Sequence, residues 1–381
     1  MMVDNITRNL IIIQQAFGAG SVGAYNLYEL LKCNSLLDTE ISNIIKSGVL
    51  SQKITDKINT VSCSDINSIF KDCSANNIKI VTIENSIYPD RLRNISVPPL
   101  VLYIKGTLPD IDNLPAICIV GPRIEKISNF GKKAAFSLSL RLSRAGFIII
   151  SGAATGSDTY AHLGALKCGG KTIAVLGCGI CYDYLPENRP IRNKIAENCC
   201  LISEHPPFAP TTRYSFPIRN RIMSALALGT VVIEAGPKSG ALNTAKHSYE
   251  QGKDVFVIPG NPTDEKYKGS NELLRDGATP LIDASDVFNQ YIMSYADCID
   301  IKKAFEPIIN IESDKKITKK SDIGLSKEAK IVYNNLNKQK FTADDLIDIG
   351  ISDDEIISAL TELEIEHLIK SLPGGIYELI Q

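Results

Sequence analysis

The stretch Phe147-Ile148-Ile149-Ile150-Ser151-Gly152-Ala153-Ala154-Thr155-Gly156-Ser157-Asp158 decides the fold. Its first four residues are apolar and three of them are β-branched. A run this short and unbroken reads as a strand buried on both faces, as in a parallel sheet. The glycine-punctuated loop after it ends at Asp158, where a helical pattern begins and runs to Cys168. Strand, glycine loop and helix together make the repeating unit of an α/β sheet with right-handed crossovers.

The unit recurs on both sides. Apolar runs at Ala116-Val120, Thr172-Leu176, Thr230-Ile233 and Val255-Ile258 alternate with helical stretches at Gly131-Ala145, Arg189-Asn198 and Ala241-Gln251. This alternation predicts an α/β fold, a Rossmann-like, doubly wound and mostly parallel sheet. Strand patterns at Ile78-Ile83 and Leu100-Ile104, the second entered through Pro98-Pro99, form a lead-in segment. These pieces place the α/β domain at residues 76–295.

Residues 1–75 read as helices, with apolar positions such as Leu27, Leu30 and Leu31 at helical spacing. Phe17-Gly18-Ala19-Gly20-Ser21 makes a glycine turn between two of them, so the segment is expected to be a helix-hairpin or SAM-like domain. Such a turn can touch a DNA backbone, though paired helices more often simply pack. Lysine pairs at Lys302-Lys303, Lys315-Lys316 and Lys319-Lys320 mark a linker at residues 296–320. The final residues, 321–381, give three helical patterns (Lys327-Leu336, Ala343-Ile349, Asp353-Glu366) and two short strands joined by Pro373-Gly374-Gly375. Three helices and a hairpin make a winged helix the leading expectation there.

The chain has 381 residues, 44% hydrophobic and 22% charged, with a formal charge of −2. That composition is globular, and the length suits two or three domains. The overall balance excludes a strongly basic nucleic-acid coat, but the average conceals a division. Residues 115–290 carry a net +5, and residues 321–381, with five basic and twelve acidic side chains, a net −7. An acidic winged helix repels phosphates, so a protein-contact or regulatory role suits it better than duplex binding. Ten cysteines without scaffold spacing, no secretory leader pattern and no apolar run of membrane length lead us to expect a cytoplasmic protein.

In a doubly wound sheet, ligands bind beyond the carboxyl ends of the strands. Here those ends run into Gly121-Pro122-Arg123, Ser151 to Asp158, Gly177-Cys178-Gly179, Glu234 to Gly240 and Pro259-Gly260-Asn261. Glycine loops that open helices favour phosphate, yet neither G-x-G-x-x-G after the first strand nor a P-loop is present. Phe216-Pro217-Ile218-Arg219-Asn220-Arg221-Ile222, preceded by Arg213 and Tyr214, offers guanidinium forks for phosphate and rings for unpaired bases. The bland alternative pairs those arginines with carboxylates such as Glu204 or Glu234. Cys178-Gly-Ile-Cys181 has metal spacing but no second ligand pair, so no metal is expected. His162 reads as a hydrogen-bonded structural residue, no catalytic arrangement is visible from spacing, and no cofactor is called for.

These motifs resemble the DNA-processing protein A (DprA/Smf) family. The match runs from Tyr88-Pro89 through Gly106, Gly121-Pro122-Arg123, Ser128 and Gly131, and the Ser151 to Leu166 motif with Asp158 and Ala161-His162. It continues through Ser203-Glu204, Phe216 to Ile222, Glu234-Ala235, Ser239-Gly240, Val255 to Gly260, and Asn271 to Ala278. The resemblance implies a non-enzymatic recombination mediator that binds single-stranded DNA, protects incoming strands and loads the RecA recombinase, and that forms a homodimer. It implies a DNA-binding set of Gly121, Arg123, Gly152, Gly156, Phe216, Arg219, Asn220, Arg221, Lys238, Ser239 and Gly240. The sequence departs from the family at Pro122 (usually Ser), Thr155 (usually Arg or Lys), Cys181 (usually Asp) and in a longer 124–130 segment. The enzyme-class alternative, a nucleotide-processing hydrolase like the Lonely Guy proteins, requires P-G-G-x-G-T-x-x-E. The one Pro-Gly-Gly here, at 373–375, lacks the Gly-Thr.

Overall fold

The computed structural model describes residues 4–306, 325–336, 340–346, 350–372 and 376–380. They form two compact units, divided between Glu306 and Pro307.

In the first unit the expected apolar runs become β1 (Ile78–Thr82), β2 (Val101–Gly106), β3 (Ala116–Val120), β4 (Ile148–Ser151), β5 (Thr172–Leu176), β7 (Gly229–Val232) and β8 (Asp254–Val257), and two strands that the periodicity does not mark join them, β6 (Cys200–Ser203) and the exposed β9 (Thr279–Pro280). They make one sheet in the order β1-β2-β6-β5-β4-β3-β7-β8-β9. From β6 to β9 every neighbour is parallel, while β2 runs antiparallel to β1 and β6. β3, β4 and β5 are buried at every residue, which is why they read as short apolar runs, and β6 is buried at every residue too. Chain order reverses direction across the sheet between β3 and β7. That is the switch point at which doubly wound sheets open a crevice.

The N-terminal helices α1 (Asn5–Phe17), α2 (Val22–Cys33), α3 (Ile41–Lys46), α4 (Gln52–Asn59) and α5 (Cys63–Ala75) pack into the same core as the β2 and β6 edge. Gln14 ties them down. Its side-chain amide donates to the carbonyls of Val101 (3.0 Å) and Glu204 (2.7 Å), and its oxygen accepts from the Val101 amide (2.9 Å). A buried amide side chain saturated by strand backbone fixes the helices to the sheet. A short helix, α6 (Asp90–Arg93), precedes β2.

Crossover helices α7 (Asn129–Arg144), α8 (Ser157–Lys167), α9 (Arg189–Asn198), α10 (Ser215–Leu226) and α11 (Gly240–Glu250) flank the sheet, followed by α12 (Lys268–Arg275) and α13 (Ala284–Tyr291). α10 and β6 are absent from the periodicity reading. α10 opens Ser-Phe-Pro, and proline in a first turn is compatible with helix although it reads as a loop. Burial from Arg219 to Leu226 leaves α10 without an apolar stripe against a polar face. α14 (Ile301–Phe305) forms inside the lysine-marked linker, because Phe305 packs edge-on against Phe288 and the Asp300 amide donates to the Ala145 carbonyl at 3.0 Å. The remainder of that linker, 307–320, lies outside the described residues.

The second unit contains, among its described residues, α15 (Lys327–Asn335), β10 (Lys340–Thr342), a 3₁₀ turn (Ala343–Leu346), α16 (Asp353–Ile365), β11 (Ile369–Leu372) and β12 (Ile376–Leu379). Its sheet has the antiparallel order β10-β12-β11 over a core of Val332, Phe341, Ile356, Leu360 and Leu363. The expected hairpin tip, Pro373-Gly374-Gly375, and residues 347–349 of the expected second helix lie outside the described residues.

Candidate nucleic-acid interface

The loops leaving β3, β4, β5, β6 and β7 all emerge on the carboxyl edge, and three buried carboxylates lie among them. Asp158, on α8, accepts from the amides of Gly152 (3.1 Å) and Ala154 (3.3 Å), so it fills the nest made by the glycine loop. Glu234, directly after β7, accepts from the Ser128 amide (3.0 Å), the Ser128 hydroxyl and the Tyr267 hydroxyl (2.9 Å). It thereby caps the N-terminus of α7 from outside, with Gly131 so close that an added Cβ would lie 2.7 Å from its carboxyl carbon. Glu204, directly after β6, accepts from the Gly20 amide at 3.0 Å. Amides that a bound phosphate would use are occupied by the chain's own anions.

The arginines of α10 divide accordingly. Arg221 lies inside: its Nη2 is 2.7 Å from both oxygens of Glu204, a buried ion pair on a carboxylate that also holds the Gly20 turn. This is the pairing with Glu204 that spacing allowed, while Glu234 takes no arginine among the described residues. Arg219 is 6% exposed, and its Nη1 donates to the Val175 carbonyl at 2.5 Å. Burial draws its guanidinium below the ordinary arginine range, with neighbouring Asp158 opposing that. Burial likewise raises the Asp158 carboxyl, while Arg219 and the loop amides lower it. Gly152 is glycine because a Cβ there would lie 1.7 Å from Arg219 Nη1. Asn220, also buried, donates to the Gly240 carbonyl at 3.4 Å and joins α10 to α11.

His162 completes this interior. Its Nδ1 sits 2.7 Å from the Thr172 hydroxyl, and burial next to Arg219 pushes the imidazole down to about 3. It is held neutral at physiological pH. Gly121 and Gly156 also serve packing. A Cβ on Gly121 would meet the Ser157 hydroxyl at 2.3 Å, and Gly156, at φ +96, lies against the Pro122 carbonyl.

What remains exposed on this edge is cationic and aromatic. Arg123, after β3, lies 5.4 Å from the centre of the Phe216 ring, which is half-buried between loops. Tyr184 packs tilted against that ring at 5.2 Å. Arg213 lies 4.5 Å from the Tyr214 ring, and both are exposed. Lys238 is exposed in the loop before α11, next to Ser239, which caps that helix by accepting from the Ala241 amide. A Cβ on Gly240 would meet nothing within 4 Å, so the N-terminus of α11 is open to solvent. Among the described residues no carboxylate lies within ion-pair distance of Arg123, Arg213 or Lys238. The structure therefore brings Arg123, Phe216, Lys238, Ser239 and Gly240 to the surface and withdraws Arg219, Asn220 and Arg221 from it. Tyr184 is the member that sequence reading missed; a tyrosine in a loop carries no periodicity to mark it.

Pro122 bears on the loop as expected of a residue without an N–H: it takes part through its carbonyl, which accepts from Ser157 at 3.0 Å. Cys178 is buried and Cys181 half-buried, and no three His, Cys, Asp or Glu side chains among the described residues are placed to hold a metal ion. No helix among them is long and apolar enough to cross a membrane.

Comparison with known proteins gives a consistent result. A sequence model of the family described as DNA recombination-mediator protein A matches residues 79–292. The DNA processing protein DprA of Bacillus subtilis (strain 168) is 36% identical over 213 residues, which is 56% of this chain and 71% of that protein. The X-ray structure of DNA processing protein A from Streptococcus pneumoniae superposes with a TM-score of 0.65 at 27% identity, covering 76% of this chain and 99% of the other. DNA processing protein A from Helicobacter pylori, solved for its single-stranded DNA binding mode, gives a TM-score of 0.51 at 29% identity over 57% and 97% of the two chains.

Proposed function

The chain belongs to the DNA recombination-mediator protein A family, and on that footing we propose that it binds single-stranded DNA along the carboxyl edge of its sheet. In this reading Arg123 and Lys238 neutralise phosphates, Ser239 and Gly240 let the backbone of the strand approach α11, and a base lies against Phe216. Arg219, Asn220 and Arg221 act from inside by holding α10. Gly152 makes room for that packing, and Gly121 and Gly156 let the loop after β3 pack against the N-terminus of α8. The protein works in the cytoplasm as a homodimer, covers incoming single strands and loads RecA on them, and catalyses no reaction itself.

The observation that carries the reading is the split between filled nests and free cations. A mononucleotide needs the amides that Asp158 and Glu234 already occupy. A strand needs a line of exposed charge and a ring face, which Arg123, Phe216 and Lys238 supply. Stacking tolerates any base and cannot reach paired ones, so single strands are preferred over duplex.

The test is fluorescence anisotropy on single- and double-stranded DNA of one sequence, comparing wild type with Arg123→Ala/Lys238→Ala across a salt series. The expected result is a single-strand preference, and a double variant whose log K against log salt slope is shallower by about 1.4, two phosphates at about 0.7 each. Equal affinity for duplex, or an unchanged slope, refutes the assignment.

A further inference from the structure

Beyond the Phe216 slot, the carboxyl edge carries exposed rings that the interface described so far does not use. Phe208 is 54% exposed, Tyr214 56% and Tyr182 37%. They stand on two loops that are locked to each other, Tyr182 on the loop after β5 and Phe208 and Tyr214 on the loop between β6 and α10. The Gly179 amide donates to the Ala209 carbonyl at 2.8 Å and the Cys181 amide to the Pro207 carbonyl at 2.7 Å, joining the loop after β6 to the loop after β5. Glycine at 179 makes this possible, since a Cβ there would lie 2.1 Å from the Pro206 carbonyl. The end of the β6–α10 loop is turned by the Thr212 amide, which donates to the Ser215 hydroxyl at 2.9 Å, with the two hydroxyls also 2.9 Å apart, and it leads directly into Phe216.

We propose that Tyr182, Phe208 and Tyr214, with Arg213, form a second stacking track that carries the single strand onward from the Phe216 slot towards the β5 and β6 side. This rests on the single-strand reading above. Large rings left in water are costly unless a ligand covers them, and the loop-to-loop hydrogen bonds hold these rings still, so little ordering entropy opposes stacking. The charge fits a polyanion. Arg213 is exposed with no carboxylate within ion-pair distance among the described residues, and Asp183, the one carboxylate in residues 177–184, is paired with Arg189. Pro206-Pro207 stiffens the Phe208 loop. A nucleic-acid strand is therefore favoured over a protein partner, which would seek a broader apolar face.

The chain contains no tryptophan, so Phe208→Trp introduces a single fluorophore on the ridge. Oligo(dT) of about 6 and about 20 nucleotides is titrated while anisotropy of the labelled DNA reports binding, with Phe216→Trp as the companion probe of the slot. We expect Phe216→Trp emission to be quenched by both lengths and Phe208→Trp emission by the long one alone. Phe208→Ala and Tyr214→Ala should weaken the long oligonucleotide about five- to tenfold and leave the short one unchanged. Saturation by the long oligonucleotide with unaltered Phe208→Trp emission overturns the track and leaves the ridge to a protein partner, while the slot reading stands. Absence of binding by wild type at either length instead removes the single-strand reading, and the track falls with it.

Discussion

Replacing Arg221 with alanine separates the two roles it could have in the proposed reading, touching DNA or shaping the surface that does. Its Nη2 lies 2.7 Å from both Glu204 oxygens, and the Gly20 amide shares that carboxylate at 3.0 Å. Both side chains are buried, so Arg221→Ala strands a carboxylate in the core with one amide for company. Breaking a buried pair from one side costs about 3–5 kcal/mol, a large share of the roughly 5–15 kcal/mol that holds a folded protein. For a unit of about 300 residues the melting temperature should fall by roughly 5–8 °C. Glu204→Ala should cost a similar amount by stranding the guanidinium, whose Nε and Nη1 already lack partners. The double variant should cost less than the sum, because neither charge is left alone. Thermal unfolding by circular dichroism measures all four proteins. Single-strand anisotropy on the same samples, at a temperature where each is folded, should find Arg221→Ala within about threefold of wild type, under 1 kcal/mol. An Arg221→Ala protein that melts with wild type yet has lost its DNA would refute the buried-pair argument.

Three further outcomes follow from the interior and the charge division. Gly152→Ala places a methyl 1.7 Å from Arg219 Nη1, which the Val175 carbonyl pins, so it should destabilise by about 1–3 kcal/mol in thermal unfolding. His162, pushed down to about 3 by burial and Arg219, stays neutral in the fold while the unfolded chain takes a proton below about 6.5. Its stabilising contribution is therefore present above that pH and is lost as pH falls, and His162→Gln should flatten the stability profile between about pH 6 and pH 4 by up to about 1.4 kcal/mol per pH unit, read from denaturant titrations. Ending the chain after Glu306 removes nine basic and fourteen acidic residues, so single-strand affinity at low salt should match or exceed that of the full chain; a clear loss would assign DNA contact to the removed part.

The strands were legible because a parallel strand covered on both faces is mostly apolar, and β3, β4 and β5 are so but for the hydrogen-bonded hydroxyls of Ser151 and Thr172. β6 was not. Its four residues follow α9 with only Cys199 between, and no glycine or proline marks the boundary. The glycine loops do gather on the carboxyl edge of the sheet. What they could not disclose was occupancy. Gly152 looks like a phosphate-binding glycine, but it is small to admit Arg219, just as Gly131 is small to admit Glu234. The arginine cluster was ambiguous for a related reason. Arg221 finds Glu204 seventeen residues away, and Glu204 finds Gly20 across 184 residues, a contact that only the docking of the N-terminal helices creates.

The filled nests also decide what kind of ligand this edge can select. A phosphate reaching the Gly152 and Ala154 amides must first expel Asp158, and with it the charge that faces Arg219. It would exchange one anion for another on the same donors, gaining little while leaving a displaced carboxylate to be housed. Affinity must therefore come from groups outside the nests. Those are single exposed cations spaced along an edge, each worth little to one phosphate in water but additive along a chain of phosphates through counterion release. Rings between them add sequence-tolerant stacking. A surface built this way discriminates by length and by the absence of base pairing rather than by the identity of any one nucleotide. It is the pattern required of a protein that must hold any single strand it meets.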